Sequence, residues 1–253
     1  MRLAGRTAIV TGAGQGIGRG IAHAFAGEGA NVVIAARRAE TGEPVAEEIR
    51  DRGGEARCVV TDVSRRADVE ACVAATVERY GGLEIMVHNA VRGGSPHRLE
   101  DVALDDWEDH SRVTVWGSYY SAAIAFPHLR GAGERGRLIL LTSPAGIEGT
   151  VNMPLYATVK AAQRGLIKSL AREWGPHGIT VNGIAPVAET PALAGAFATV
   201  PDLKERVEAR ASLRRIGEPE RDIGGVAVFL AGDDGGYVTG QTIVCDGGAF
   251  IGL

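Results

Sequence analysis

Tyr156 and Lys160 are the residues whose types and spacing first suggest chemistry. They stand four positions apart in a segment, residues 155–174, whose apolar spacing predicts a helix. Side chains four positions apart share one face of a helix, so the lysine ammonium is expected beside the tyrosine phenol. A neighbouring cation favours the phenolate and would lower the pKa of Tyr156 from its usual value near 10. The pair could then exchange a proton with a substrate near neutral pH.

Ser143 lies at the end of a predicted strand, a place where serine is typical of a turn or a cap. It lies in Leu-Thr-Ser-Pro rather than Gly-x-Ser-x-Gly, which disfavours a Ser-His-Asp nucleophile. The six histidines are scattered without the spacing of metal ligands. The sequence therefore favours proton transfer over hydrolysis or metal chemistry.

A glycine-rich loop, Thr-Gly-Ala-Gly-Gln-Gly-Ile-Gly, spans residues 11–18. It follows the first predicted strand and opens the first predicted helix, which is the context in which glycines bring the backbone close to a phosphate. The N–H groups and the positive end of the helix would then hold the pyrophosphate of a dinucleotide. The loop predicts dinucleotide binding at Gly12, Gly16 and Gly18.

Short β-branched runs alternate with amphipathic segments along the whole chain. The predicted strands are residues 7–10, 31–35, 56–60, 84–88, 137–141, 180–184 and 242–244, and the predicted helices are residues 17–29, 43–52, 67–80, 107–129, 155–174 and 221–231. This alternation predicts an α/β fold: a doubly wound, Rossmann-type sheet of seven parallel strands with helices on both faces, in a single domain over residues 1–253. Residues 185–215 break the rhythm, and a substrate lid is expected at about residues 186–215.

The Thr-Gly-x-x-x-Gly-x-Gly spacing of the loop, with Tyr-x-x-x-Lys, resembles the short-chain dehydrogenase/reductase family of about 250 residues, over nearly the whole chain. The resemblance implies an oxidoreductase that interconverts a secondary alcohol and a ketone by hydride transfer. Tyr156 would be the general acid/base, Ser143 would hold the substrate oxygen, and Lys160 would also bond the nicotinamide ribose. Asp62 is expected on the adenine ring, and the implied cofactor contacts are Gly12, Gln15, Gly16, Ile17, Gly18, Asp62, Val63, Asn89, Tyr156, Lys160, Pro186 and Thr190.

The end of the second predicted strand bears on the choice of cofactor. A carboxylate there would favour NAD, but the position is Ala36, followed by Arg37 and Arg38. A guanidinium matches a phosphate in charge and geometry, so NADP(H) is predicted. NAD(H) stays open because Gln15 replaces the basic loop residue of some NADP-using relatives, and because surface arginines are often only solvated.

Three positions depart from the family pattern. Thr114 stands where the family carries a catalytic Asn, Val91 replaces the glycine of Asn-Ala-Gly, and Val187 replaces the glycine after Pro186. Thr190, the expected partner of the nicotinamide carboxamide, comes one residue early. Because of these changes, a second hypothesis stays open: the protein is a cofactor-binding homologue with weak or no turnover that acts as a scaffold or sensor. A lyase or epimerase with transient hydride transfer is a third hypothesis.

Composition limits the partners. The formal net charge is −4 and the arginine pairs are dispersed, which argues against nucleic acid. No apolar run approaches the roughly 18 residues that cross a membrane, and the first predicted strand starts too early for a signal peptide, so a cytoplasmic protein is expected. The three cysteines show no Cys-x-x-Cys spacing and are expected to be reduced.

The substrate is expected to be a small-molecule carbonyl or alcohol in a mostly apolar pocket. Its wall is predicted from residues 91–95, 144–155 and 191–211, where Asn152 accompanies Met153, Leu155, Leu193 and Phe197. The family resemblance also implies a homotetramer through helices 107–129 and 155–174. Both segments carry extra small or apolar residues, namely Ala122, Ala123, Ala125, Ala161, Ala162 and Leu166.

Overall fold

Seven parallel strands form the centre of the molecule. The computed structural model describes residues 1–93 and 96–251. The strands are β1 (Thr7–Thr11), β2 (Asn31–Ala36), β3 (Glu55–Val60), β4 (Ile85–His88), β5 (Arg137–Leu141), β6 (Thr180–Pro186) and β7 (Thr242–Cys245). They lie in one sheet in the order β3-β2-β1-β4-β5-β6-β7. This confirms the predicted doubly wound sheet, and every predicted strand boundary lies within two residues of the observed one.

Helices cover the sheet. They are α1 (Gly16–Gly27), α2 (Ala39–Asp51), α3 (Arg66–Tyr80), α4 (Leu104–His110), α5 (Gly117–Ala132), α6 (Ala145–Glu148), α7 (Pro154–Trp174), α8 (Pro191–Thr199), α9 (Leu203–Arg210) and α10 (Gly225–Ala231). Two π-helical stretches adjoin them: Ser111–Trp116 joins α4 to α5, and Pro219–Gly224 leads into α10. Short 3-10 turns occupy Leu99–Asp101, Gly133–Arg135, Gly175–His177 and Asp233–Gly235. Among the described residues, no helix is both long enough and apolar enough to cross a membrane.

Several helical predictions differ from the structure, and the predicted helix 221–231, for one, is π-helical up to Gly224 and α-helical only from Gly225. The second helix begins at Ala39 rather than 43 and holds Pro44 inside it, although proline usually marks a first turn. The predicted helix 107–129 begins earlier and contains a π-helical turn. The segment 185–215, in which no helix was predicted, contains α8 and α9. Periodicity misses such features because they depend on packing or on helices too short to show a repeat.

Two apolar cores lie on opposite faces of the sheet. One contains Val32 and Ile34 of β2 with Phe25 of α1, and the other contains Val33 of β2 with Ile167 of α7. Successive residues of one strand thus enter opposite cores, which explains why β1 and β5 are continuous buried runs. The helices on both faces therefore hold the strand ends rigidly.

The order of the strands reverses between β1 and β4, which pair directly. Connections leave these two strands in opposite directions across the sheet, so the loops after them separate and leave a crevice at their carboxyl ends. Ligands of open α/β sheets bind in that crevice. The predicted glycine loop follows β1 and Asn89 follows β4, so both lie at this switch point.

Helix α1, which carries the glycine loop at its start, packs unusually close to the π-helical stretch Pro219–Gly224. A Cβ atom built on Gly20 would lie 2.6 Å from the backbone nitrogen of Glu220. No side chain fits there, so Gly20 allows the contact that fixes the direction of α1.

Replacing Gly20 with alanine should lower the free energy of unfolding by about 1–3 kcal/mol, because backbone would have to move. Gly27→Ala in the same helix is the matched control, since a Cβ there would meet nothing within 4 Å. Gly27→Ala should not lower the free energy of unfolding, and it should raise it by up to about 1 kcal/mol because alanine has the higher helix propensity. Urea unfolding followed by circular dichroism measures both. Equal midpoints for the two variants would contradict the close contact.

Candidate active site

The glycine loop presents the free end of α1 to the crevice. Gly12 and Gly16 have φ of 65° and 55°, in the left-handed region that favours glycine. Gln15 precedes α1 without a side-chain cap, and the first turn of α1 contains no acidic residue. The backbone N–H groups at this end are therefore left for an anion, as a pyrophosphate site requires.

Asn89 fastens the glycine loop to the end of β4. Its Nδ2 donates to the carbonyl oxygens of Thr11 (2.9 Å) and Gly12 (3.1 Å). The Thr11 hydroxyl oxygen accepts from the backbone N–H groups of Asn89 (3.0 Å) and Ala90 (3.1 Å). A Cβ on Gly18 would lie 2.7 Å from the Gly12 carbonyl oxygen, so Gly18 permits this packing. Asn89 and Gly18 therefore shape the cleft.

A cleft of about 580 Å³ opens at the switch point. It brings together most of the predicted cofactor residues: Gly12, Gln15, Gly16, Ile17, Arg37, Arg38, Asp62, Val63, Asn89 and Thr190. Gly18 lies behind the loop and does not line the cleft. Pro186 does not line it either, because it ends β6 and pairs with Cys245 of β7. Sequence reasoning missed Thr41, whose side chain packs against Gly14.

Asp62 and Thr190 each have a structural bond besides their place in the cleft. The Asp62 carboxylate accepts from the backbone N–H (2.9 Å) and the hydroxyl (2.7 Å) of Ser64. The Thr190 hydroxyl accepts from the backbone N–H of Leu193 (3.2 Å) and thereby caps α8. Both oxygens retain further lone pairs, so these bonds fix the side chains without preventing ligand contact.

Tyr156 and Lys160 of α7 come together with Ser143, which follows β5. Tyr156 lies near the start of α7, and Ser143 follows β5, where its hydroxyl also accepts from the backbone N–H of Ala145 (3.2 Å). The Lys160 Nζ lies 5.8 Å from the centroid of the Tyr156 ring. Burial raises the pKa of Tyr156, and a hydrogen bond from Ser143 lowers it by less.

The expectation that Lys160 lowers the pKa of Tyr156 is therefore wrong for the protein alone. Two physical reasons account for the direction. The side chain is half-buried, and its partial removal from water disfavours the phenolate. The ammonium also faces other acceptors: Nζ donates to the carbonyl oxygen of Leu141 (2.5 Å) and to Oε1 of Gln163 (3.1 Å). Lys160 is itself buried, which lowers its pKa to about 7.

His88, the residue before Asn89, is a buried neighbour that sequence reasoning missed. Its Nδ1 lies 3.1 Å from the Ser121 hydroxyl oxygen. Burial, followed by the charge of Lys160, lowers the pKa of His88 to about 3, against a smaller opposite effect of the Val113 carbonyl. His88 is therefore neutral at physiological pH. In the sequence, only its place at the end of a predicted strand, beside Asn89, marks His88 as a neighbour of the site.

Thr114 lies in the π-helical stretch Ser111–Trp116 and is fully buried. Its carbonyl oxygen accepts from the Ser118 hydroxyl at 2.6 Å, while its own hydroxyl oxygen has no hydrogen-bond partner among the described residues. Like the unpartnered Nε2 of His88, this hydroxyl is an unsatisfied polar group close to the reactive residues.

A smaller cavity of about 190 Å³ lies against Tyr156. Arg92 and Gly93 line both this cavity and the larger cleft, so the two adjoin. Its wall is more polar than predicted: Leu193 and Phe197 do not line it, and α4 contributes residues that sequence reasoning did not consider. The lining residues are Arg92, Gly93, His97, Val102, Asp106, His110, Asn152, Met153, Pro154, Leu155 and Tyr156. Gly94 and Ser95 of the predicted wall lie outside the described residues.

Proteins of known activity resemble this chain in sequence. The sequence model of a family described as enoyl-(acyl carrier protein) reductase matches residues 12–249. The chain is 32% identical over 250 residues to the 7alpha-hydroxysteroid dehydrogenase of Escherichia coli (strain K12), covering 98% of this chain and 95% of that protein. It is 35% identical over 266 residues to the L-rhamnose 1-dehydrogenase (NAD(P)(+)) of Azotobacter vinelandii, covering all of both chains.

Similarity extends to a solved structure. A 7 alpha-hydroxysteroid dehydrogenase complexed with NADH and 7-oxo glycochenodeoxycholic acid superimposes with a TM-score of 0.92 at 33% identity, covering 98% of this chain and 95% of that one. The family match and the relatives extend over nearly the whole sequence, including the glycine loop and the Tyr-x-x-x-Lys segment. The chain therefore belongs to the short-chain dehydrogenase/reductase family.

Proposed function

We propose that this protein is an NADP(H)-preferring oxidoreductase that interconverts a secondary alcohol and a ketone, with Tyr156 as the general acid/base. The observation that carries the proposal is the meeting of Tyr156, Ser143 and Lys160 beside a cavity that adjoins the glycine-loop cleft. A substrate in the small cavity would have its reacting carbon near the border of the two spaces.

The residues of the larger cleft fit a nicotinamide dinucleotide. The uncapped N-terminus of α1 would hold the pyrophosphate, and Asp62 with Val63 would hold the adenine ring. Lys160 would bond the nicotinamide ribose. When bound, the nicotinamide supplies the hydride acceptor or donor that no side chain of the protein provides.

Tyr156 would transfer the proton of the reaction. Because burial raises its pKa, the phenol is protonated at neutral pH, which is the form that donates a proton to a ketone oxygen during reduction. The Ser143 hydroxyl would hold that oxygen at the point of transfer. In the oxidation direction the deprotonated phenol of Tyr156 would accept the proton of the alcohol.

Two other hypotheses compete with this proposal. A binding protein with weak or no turnover would explain the departures at Thr114, Val91 and Val187. Against it, the three reactive side chains are assembled, and a buried lysine is costly to keep without a function. A lyase or epimerase would use the same residues, so only product analysis separates it from the oxidoreductase.

Tyr156→Phe should lower kcat at least about 10²-fold, because it removes the proton donor while keeping the ring. Cofactor affinity should change little, which distinguishes lost chemistry from misfolding. The measurement is absorbance at 340 nm with a panel of ketones and alcohols, beside fluorescence titration of NADPH. If no substrate is turned over by the native protein in either direction while cofactor binds, the weak-turnover hypothesis is favoured.

Preference for NADP(H) rests on Arg37 and Arg38. Both line the cleft at the end of β2 and are exposed, and among the described residues no carboxylate forms an ion pair with either. Ala36 offers no carboxylate to repel a 2′-phosphate or to bond a ribose hydroxyl. Two guanidinium groups without an acidic partner support a phosphate ligand.

NADPH should bind about tenfold or more tightly than NADH, since a charge-assisted contact contributes about 1.5–3 kcal/mol. Replacing both Arg37 and Arg38 with serine should remove that preference and leave the NADH dissociation constant nearly unchanged. Arg19→Ser is the control, because Arg19 pairs with Glu48 and does not line the cleft. Tighter binding of NADH by the native protein would overturn the assignment.

The small cavity indicates what kind of alcohol or ketone fits. Its volume of about 190 Å³ suits a compact substrate, and Asn152 and His110 offer hydrogen bonds beside apolar Met153 and Leu155. Arg92 is already neutralised by Asp106 (3.2 Å) and Asp109 (2.6 Å), which does not favour an acidic substrate. A neutral compound with polar substituents near the reacting carbon therefore belongs in the substrate panel.

The lid expected at residues 186–215 remains part of the proposal. Helices α8 and α9 contain no buried residue, while Thr190, Pro191 and Ala192 line the cleft. An exposed element at the edge of a binding site, with few apolar contacts below it, is suited to close over a ligand.

Homotetramer assembly through α5 and α7 is also proposed. Trp116 and Tyr119 are 51% and 44% exposed and pack edge to face with ring centroids 6.1 Å apart. Of the small residues expected at the contact, Ala122 and Ala125 are buried within the chain, whereas Ala123, Ala161 and Ala162 are exposed. Exposed aromatic side chains and alanines suit close helix packing between copies.

Light scattering should give four chain masses at micromolar concentration. Tyr119→Glu should reduce the mass, because it places a charge in the proposed contact. Leu213→Glu adds the same charge at an exposed apolar residue outside α5 and α7 and should leave the mass unchanged. A monomeric native protein would count against the assembly.

A further inference from the structure

Gln163 is a buried amide one helical turn after Lys160. Its side chain is 1% exposed, on the face of α7 that also buries Val159 and Ile167. Residues three apart on a helix are neighbours, and the Gln163 Oε1 accepts from the Lys160 Nζ at 3.1 Å. Burying an amide among apolar side chains costs free energy unless the amide is hydrogen-bonded, and the bond to Lys160 offsets part of that cost.

The orientation of the Gln163 amide is set by Ser118 of α5. The Ser118 hydroxyl donates its only proton to the carbonyl oxygen of Thr114 at 2.6 Å. Its oxygen is therefore an acceptor for Gln163, whose Nε2 donates at 2.9 Å. This leaves Oε1 directed at the lysine. The chain of bonds makes the amide an acceptor for Lys160 rather than a competing donor.

The surroundings of Lys160 make that acceptor important. The other protein acceptor of its ammonium is the Leu141 carbonyl oxygen, at 2.5 Å. The titratable groups that face it are the Tyr156 phenol and the His88 imidazole, and neither carries a negative charge when the phenol is protonated. Two oxygen dipoles thus stabilise a buried cation whose described partners include no carboxylate.

We propose that Gln163 is a positioning residue that takes the place of a counterion for Lys160 and sets the pH range in which the catalytic lysine is charged. Ser118 keeps the amide in the required orientation and ties the lysine to the π-helical stretch that carries Thr114. The catalytic consequence rests on the proposed function. The effect on the charge of Lys160 does not, and it can be measured in the protein without cofactor or substrate.

Nuclear magnetic resonance of the lysine side chains tests the inference directly. The chain has three lysines, and Lys168 and Lys204 are exposed, so labelling lysine with ¹³C at Cε gives three signals with two internal references. Lys160→Met assigns the signal of Lys160 by its loss. The pH dependence of that signal gives the midpoint at which Lys160 loses its charge.

Gln163→Met keeps the length and helix propensity of the side chain but removes the acceptor. The Lys160 midpoint should fall by about one pH unit or more, since the charged form loses a hydrogen bond. Gln163→Glu should move the midpoint upward, because an ionised carboxylate favours the ammonium. Ser118→Ala should lower the Lys160 midpoint by less than Gln163→Met does, because the Gln163 amide keeps its acceptor but loses the bond that orients it. Ile167→Val, one turn further along the same buried face, should perturb packing without moving the midpoint.

The outcomes separate the two proposals. An unchanged Lys160 midpoint in both Gln163→Met and Gln163→Glu would overturn the role of Gln163, and so would an equal shift in Ile167→Val. If Gln163→Met does not fold, Gln163→Glu and Ser118→Ala decide. Where a substrate is found, the pH profile of kcat/KM should move with the midpoint, with KM nearly constant at the pH optimum. A shifted midpoint without turnover in the native protein would leave the Gln163 inference standing and remove the oxidoreductase proposal.

Discussion

Keeping an ammonium group charged inside the protein is the constraint on which the site depends. Burial lowers the pKa of Lys160 from 10.5 to about 7. Between these two values the unfolded chain binds a proton that the folded chain has released, so this residue makes the protein more stable as pH rises through that interval. Below about pH 7 the folded protein holds the charge at a cost in stability. The fold offsets part of that cost with the Leu141 carbonyl and the Gln163 amide.

Those two acceptors come from elements that the sheet fixes. Leu141 is the last residue of β5 and pairs with Ile184 of β6, so its carbonyl is held at the carboxyl edge. Gln163 belongs to α7, and its partner Ser118 belongs to α5, on the same face of the sheet. The same edge carries Asn89, which fastens the glycine loop. Cofactor cleft and reactive side chains are therefore positioned by neighbouring strand ends.

Much of this could be predicted from sequence because it is local. Strand boundaries follow short apolar runs, the glycine loop follows a strand, and Tyr156 with Lys160 follows helical spacing. What could not be predicted depends on tertiary contact. The π-helical turn at Thr114, the burial of Gln163 and the polar cavity wall from α4 arise only when helices pack. The pKa of Tyr156 is raised rather than lowered because burial, which spacing does not show, outweighs the hydrogen bond from Ser143.

The departures from the family pattern are not all equivalent, and Val187 shows why. Its backbone N–H donates to the Cys245 carbonyl oxygen at 2.9 Å, which continues the pairing of β6 with β7, a conformation that suits a β-branched residue. The close approach of two backbone segments here lies at Gly217, where a Cβ would lie 2.9 Å from the Val187 carbonyl oxygen. The glycine that this close approach requires is therefore Gly217, while strand pairing accommodates Val187. Thr114 has no such substitute: its hydroxyl is buried without a described partner, close to the residues that hold Lys160. Of the two changes, Val187 is accommodated by strand pairing, and Thr114 is the one that leaves an unsatisfied polar group near the site.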